Sequence, residues 1–230
     1  MPNTSKNTSA LQHVYFVPGL AANISIFENI KLSEEFYSVH FLEWMIPDTQ
    51  ETLQDYAKRL CEKIKHDNIT LIGVSFGGVV VQEMAKHIDV KRLIIISSVK
   101  SKHELPKRMK MARKTGIYKL LPTSLVNYVH KLEDLPVGNM VKKRARLYRT
   151  YLSVKDKRYL DWAIKQMVCW DQEEPLTEII QINGDHDIVF PIEHIENPIV
   201  LPGGTHAMII NKYKWLNKNL PKLIENGCLD

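Results

Sequence analysis

Cysteine is scarce: Cys61, Cys169 and Cys228 are the only three in 230 residues. An odd, widely scattered set argues against a disulfide framework or a cysteine zinc site, and it suits a reducing, cytoplasmic setting. Long apolar runs are missing too, none approaching the ~18 to 20 residues that a membrane-spanning helix needs. Residues 1–12 are polar and lack the apolar middle of a secretory signal, so they read as a disordered tail. No Gly-Lys-Ser/Thr follows the glycine-rich stretch at 73–78, which removes support for a Walker-type phosphate loop. Internal repeats, low-complexity segments and recognised nucleic-acid-binding motifs are absent as well. What remains is a chain with 44% hydrophobic residues, enough for one substantial core and too short for two ordinary domains.

Charge is unevenly spread. The net charge is +5, but residues 100–170 hold 18 Lys and Arg against five Asp and Glu, leaving the flanking parts net acidic. Elsewhere the order is strand, helix, strand. His13 to Val17 reads as a strand ending at Pro18-Gly19, then a short helix near 24–30 and an alternating strand near 36–42. An amphipathic helix follows, with Leu53, Tyr56, Ala57, Leu60, Cys61 and Ile64 on one face and Asp48 or Thr49 as its cap. Cys61 reads as a small apolar filler there. An apolar strand at 69–72 leads into a helix running to about 88, and the strand at 91–98 is apolar enough for burial on both faces. Three helix-like stretches fill the basic segment, at 105–121, 124–132 and 140–167, the last broken near Val154-Lys155-Asp156. Strands then return at 179–184 and 197–201, before a last helix over 211–225. This alternation predicts a parallel sheet with helices on both faces. The ligand site of such sheets lies beyond the carboxyl ends of the strands.

The stretch that carries chemistry is Gly73-Val74-Ser75-Phe76-Gly77. A serine at a strand-to-helix turn, with glycine two residues before and two after, has the form of a nucleophile elbow. The turn is tight enough that side chains at Gly73 and Gly77 would strike neighbouring backbone. A glycine-rich loop that cradles phosphate is the plainer alternative. A serine hydroxyl needs a base within hydrogen-bond reach, and that base needs an acid to hold its tautomer. His206, on a Gly-Gly turn after the last strand, is the candidate base, with His194 as the fallback. His13, His40, His66 and His87 fall in or beside predicted strands and helices, away from the serine. Asp187, at the end of the 179–184 strand, is the candidate acid, and Asp185 competes with it as a turn residue.

Together with the strand-Pro18-Gly19-Leu20 turn, Gly184-Asp185-His186-Asp187 and Gly203-Gly204-Thr205-His206, this elbow resembles the α/β-hydrolase superfamily over nearly all of the chain outside 100–170. The resemblance implies that fold, here with about six strands, all parallel, because the family's first two strands have no counterpart. It implies a hydrolase core in two parts, 1–99 and 171–230, with a helical cap inserted at 100–170. The implied activity is a serine hydrolase, a carboxylesterase or acyl thioesterase, that needs no metal or organic cofactor. Ser75 would be the nucleophile, His206 the base and Asp187 the orienting acid, with the Leu20 and Phe76 amides as the oxyanion hole. The family often has His-Gly in its first loop; this chain has Pro18-Gly19. Trp44 and Met208, beside strand-end turns, are candidate borders of the substrate pocket or ordinary packing residues. The basic cluster Lys142, Lys143, Arg144, Arg146 and Arg149 is either a solvated helical surface or a dock for an anionic partner: an acidic acyl-carrier protein, the phosphates of coenzyme A, or anionic lipid. The alternative function is a ligand-binding or signalling protein that keeps the triad but turns over slowly or not at all.

Overall fold

The apolar runs become the strands of one sheet in the computed structural model, which describes residues 11–120 and 150–229. The strands are β1 (Gln12–Val17), β2 (Tyr37–Phe41), β3 (Ile69–Val74), β4 (Val90–Ile96), β5 (Ile179–Gly184) and β6 (Ile199–Leu201). They lie in the order β2-β1-β3-β4-β5-β6, and every pairing is parallel. The expected six-stranded parallel sheet is therefore present. β3, at the centre, is buried at every residue, whereas β2, at the edge, alternates in exposure. That contrast is what separates a strand covered on both faces from one with an open flank. Gln12, expected in the polar tail, instead opens β1 by donating its amide to Phe36, 2.9 Å away. Residues 1–10 of that tail lie outside the described residues.

Strand alternation divides β1 between two cores. Val14 and Phe16 face one, with Phe27, Leu216, Leu220 and Leu223. Tyr15 and Val17 face the other, with helices α1 (Leu53–Cys61) and α2 (Phe76–Met84). α1 carries the apolar face the sequence predicts, but its cap is Thr52 rather than Asp48 or Thr49. The Thr52 hydroxyl oxygen accepts the Asp55 amide at 3.1 Å. Asp48 and Thr49 sit too early because the chain turns once more before the helix, with the Glu51 amide bonded to the Asp48 carbonyl. α2 is buried on all sides, which explains its lack of a polar face, and it ends at Met84 rather than near 88.

The basic segment contributes α3 (Lys107–Thr115), which stops at Gly116 in the left-handed conformation, and α4 (Lys157–Cys169). The break expected near 154–156 is real: Asp156 caps α4, accepting the Tyr159 amide at 2.8 Å. The helices expected at 124–132 and over 140–149 lie outside the described residues. α4 packs its Tyr159, Leu160, Ala163 and Met167 into the same core as α1 and α2. Two indoles fasten this end: Trp162 donates to the Glu51 carbonyl and Trp170 to the Glu83 carboxylate, each at 2.8 Å. A short α5 (Met208–Asn211) precedes the expected last helix, which is α6 (Tyr213–Asn226) with Pro221 inside it. Among the described residues no helix is long and apolar enough to cross a membrane.

Candidate active site

Ser75 occupies the turn between β3 and α2 with φ 54° and ψ −119°, a backbone region that costs a non-glycine residue roughly 1–3 kcal/mol. Its neighbours leave no alternative path. A Cβ on Gly73 would meet the backbone of Gly77 and Gly78, and one on Gly77 would meet the carbonyls of Val17 and Pro18. The turn is held from beneath as well. The Ser75 amide donates to the Ile96 carbonyl at 2.9 Å, and the Ser98 hydroxyl donates to the Ser75 carbonyl at 2.7 Å.

Two loops from the far side of the sheet reach this serine. Nε2 of His206 lies 3.0 Å from Ser75 Oγ, and Nδ1 of the same ring lies 2.9 Å from Asp187 Oδ2. The Asp187 side chain is fully buried, while that of His206 keeps 28% exposure. The other carboxylate oxygen of Asp187 accepts the amides of Val189 and Phe190 at 2.7 and 3.0 Å. The carboxylate is thus bound on both oxygens and turned toward the imidazole. Phe190 closes edge-on against the His206 ring, with centroids 5.5 Å apart. The His186 amide donates to the Gly204 carbonyl at 2.9 Å, which locks the acid-bearing loop to the histidine-bearing one. Asp185 is exposed, with His186 as its neighbour at 3.8 Å. His194 ends a short 3-10 turn on the stretch between β5 and β6.

The first loop presses on the serine from the other direction. A Cβ on Gly19 would lie 3.4 Å from Cβ of Ser75. The Gly19 carbonyl accepts both the Ala22 amide and the Trp44 indole N–H, each at 3.0 Å. In a trans peptide the following N–H points the opposite way, so these two bonds fix the direction of the Leu20 amide. Neither the Leu20 nor the Phe76 amide donates a hydrogen bond to any described residue. Leu20 also lines an apolar cavity of about 320 Å³ between α3 and α4, with Met109, Ala112, Ile164 and Met167 among its other walls. Arg108, at the same cavity, donates to the Ile188 and Val189 carbonyls at 2.7 Å and so ties α3 to the loop bearing Asp187.

Two pocket candidates take other positions. Met208 is fully buried in the core on the opposite face of the sheet, with Ile26, Phe27 and Leu216. Entry into α5 immediately after the histidine turn drives its side chain inward, so it does not border the cavity. Trp44 stacks on Phe76 at 5.6 Å and bonds the Gly19 carbonyl, so its place is behind the first loop rather than on the cavity wall. Lys142, Lys143, Arg144, Arg146 and Arg149 lie outside the described residues.

Sequence reasoning set His13, His40 and His66 aside one by one, and the fold brings them together. His13 on β1 and His40 on β2 approach at 3.1 Å, and His66, from the connection between α1 and β3, stacks on His13. Burial, and then the neighbouring His66, push both His13 and His40 below the ordinary imidazole value, with His13 adding to the effect on His40. Only strand register could have exposed this grouping, since β1 pairs His13 with Ser38 and Tyr15 with His40.

Neither a protein-family model nor a curated protein matches this sequence. Solved structures do. The chain is similar to a carboxylesterase from the ammonia-oxidizing thaumarchaeon Nitrososphaera gargenis, at 20% identity over 94% of this chain and 90% of that one, with a TM-score of 0.65. It is similar to an esterase from Exiguobacterium antarcticum at 18% identity, over 94% and 92% of the two chains, with a TM-score of 0.61. A bromoperoxidase from Bacillus anthracis matches at 15% identity, over 95% and 93%, with a TM-score of 0.66. Likeness at this level defines the fold, and the fold is that of the α/β-hydrolases.

Proposed function

We propose that the protein is a serine hydrolase that cleaves a carboxylic ester or thioester through an acyl-enzyme intermediate. One observation carries the reading: hydroxyl, imidazole and buried carboxylate form an unbroken chain of contacts at 3.0 and 2.9 Å on one rim of the sheet. His206 takes the Ser75 proton as Oγ bonds to the substrate carbonyl carbon. The Leu20 and Phe76 amides receive the resulting oxyanion, assisted by the positive end of α2. The tetrahedral adduct collapses as the carbon–oxygen or carbon–sulfur bond breaks and His206 returns the proton to the departing alcohol or thiol. Water, deprotonated by the same imidazole, then releases the acid and restores Ser75. Asp187 holds Nδ1–H throughout and offsets the positive charge on the ring.

The esterases among the structural neighbours support the same class of substrate. Residues 100–170 act as the cap in this reading, and the apolar cavity between α3 and α4 takes the acyl chain, since Leu20 on its wall directly follows the Gly19 that packs against the serine. No cofactor enters any step. Hydrolysis of p-nitrophenyl esters tests the proposal. The wild type should turn over acetate or a longer acyl ester, and Ser75→Ala should lose roughly 10⁶-fold in kcat. A folded wild type that neither hydrolyses such esters or acyl-CoA nor reacts with a fluorophosphonate would instead be a binding protein on this scaffold.

A further inference from the structure

We propose that His13, His40 and His66 form a binding site for one divalent transition-metal ion of the zinc type, separate from the serine site. The three residues come from β1, the edge strand β2 and the connection between α1 and β3. Each offers a ring nitrogen, and the three nitrogens lie within 4.8 Å of one another. Zinc–imidazole bonds of about 2.0–2.1 Å at tetrahedral angles place ligand nitrogens about 3.3 Å apart. Nδ1 of His13 and Nε2 of His40 stand at 3.1 Å, close to that spacing before any movement. Strand register fixes the pair, because residues 13 and 15 point to the same face and lie opposite 38 and 40.

His66 supplies the third nitrogen. Its ring lies on that of His13 with centroids 3.5 Å apart and planes within 9°. Parallel stacked rings cannot both aim at one ion, so loading rotates the His66 ring out of the stack. This residue sits on a connection rather than a strand, where a side-chain rotation meets the least resistance. The Tyr15 hydroxyl lies 2.6 Å from its Nδ1 and is itself held by the Lys65 amide at 3.3 Å. A hydroxyl at the second nitrogen is the kind of partner that orients a ligand histidine, and it leaves Nε2 for the ion. A donor set of imidazoles alone selects zinc, nickel or copper over magnesium or calcium.

The ion would staple the open edge of the sheet. Among the described residues β2 pairs with β1 alone, and the site would tie both strands to the connection that leads into β3. The unfolded chain has no such arrangement, so binding adds stability in proportion to the logarithm of ion concentration over the dissociation constant. Catalysis should not respond. From His13 to Val17, where the strand reaches the serine rim, the chain rises roughly 13 Å at about 3.3 Å per residue.

Calorimetric titration of the chelator-stripped full chain with zinc chloride, against a calcium control, is the test. The wild type should bind one equivalent of zinc with a dissociation constant of about 10 μM or tighter, and its Tm should rise. His40→Gln and His66→Asn should each weaken binding at least about tenfold and remove the thermal shift, while fluorophosphonate labelling of Ser75 stays unchanged. X-ray absorption on the zinc-loaded protein should show three imidazoles and no sulfur in the wild type, and one imidazole fewer in whichever of the two variants folds. Absence of saturable zinc binding in the wild type, unchanged binding in both folded variants, or a sulfur-containing shell would overturn the proposal.

Discussion

Asp187 shows how much one side chain depends on its surroundings. Both carboxylate oxygens are committed, one to two amides and the other to His206, so replacing it with asparagine keeps the shape and presents the wrong hydrogen-bond sense to Nδ1. Asp187→Asn should lower kcat/KM for p-nitrophenyl esters about 10⁴-fold with the Tm little changed. An equal loss in Asp185→Asn, with Asp187→Asn near wild type, would assign the orienting role to Asp185. Trp44 acts one residue further back. Trp44→Phe keeps the ring stacked near Phe76 and deletes only the bond to the Gly19 carbonyl. It should reduce kcat about tenfold with KM nearly unchanged, less than the ~10²-fold or more lost when an oxyanion donor itself is removed. A rise in KM at constant kcat would place Trp44 in substrate binding instead. Cys61 stands at the inert extreme: burial pushes its thiol up to about 11, so an alkylating reagent should modify the exposed Cys228 first.

At the scale of elements, the entry to α1 joins the sheet layer to α4. Glu51 receives both ends of a bidentate Arg59 fork, at 2.8 and 2.7 Å, and its backbone carbonyl takes the Trp162 indole. The Arg59 guanidinium holds the Glu51 carboxyl below its ordinary value of 4.5. A carboxylate depressed on folding contributes stability above its ordinary value, and that contribution is lost as pH falls through the depressed value. Glu51→Gln should therefore cost about 2 kcal/mol at pH 7 and show a flatter decline of Tm than the wild type as pH falls below 4.5. Parallel declines would show that the fork contributes nothing. The elements themselves were largely legible: the elbow, the six strands and the break before Asp156 follow from apolar runs, glycines and period. The cap of α1 was not legible, because several small polar residues precede the helix and only the turn geometry selects Thr52. For Met208 the core settles between the two readings the sequence left open, since sequence tells that a residue follows a site and not which way the chain turns next. The histidine trio was invisible because strand register, not spacing, assembles it.

Across the whole molecule, the basic charge and the apolar cavity fall in one segment. The basic excess lies between 100 and 170, and the apolar cavity proposed for the acyl chain lies between α3 and α4 of the same segment. If that charge receives an acidic carrier protein or the phosphates of coenzyme A, kcat/KM for such thioesters should fall steeply with salt while neutral esters respond little. Replacing Lys142, Lys143 and Arg144 with glutamine should weaken the carrier-linked reaction alone. Equal salt slopes for both substrates would leave the segment as a solvated surface. The central claim is narrower than this and rests on loops drawn to one rim from β3, β5 and β6. Its most direct test is mass spectrometry of the protein treated with a fluorophosphonate and digested. A single adduct on Ser75, formed quickly in the wild type and at least about 10³-fold more slowly in His206→Ala, is the predicted result. An adduct on another residue, or labelling of Ser75 at the same rate without the imidazole, would contradict it.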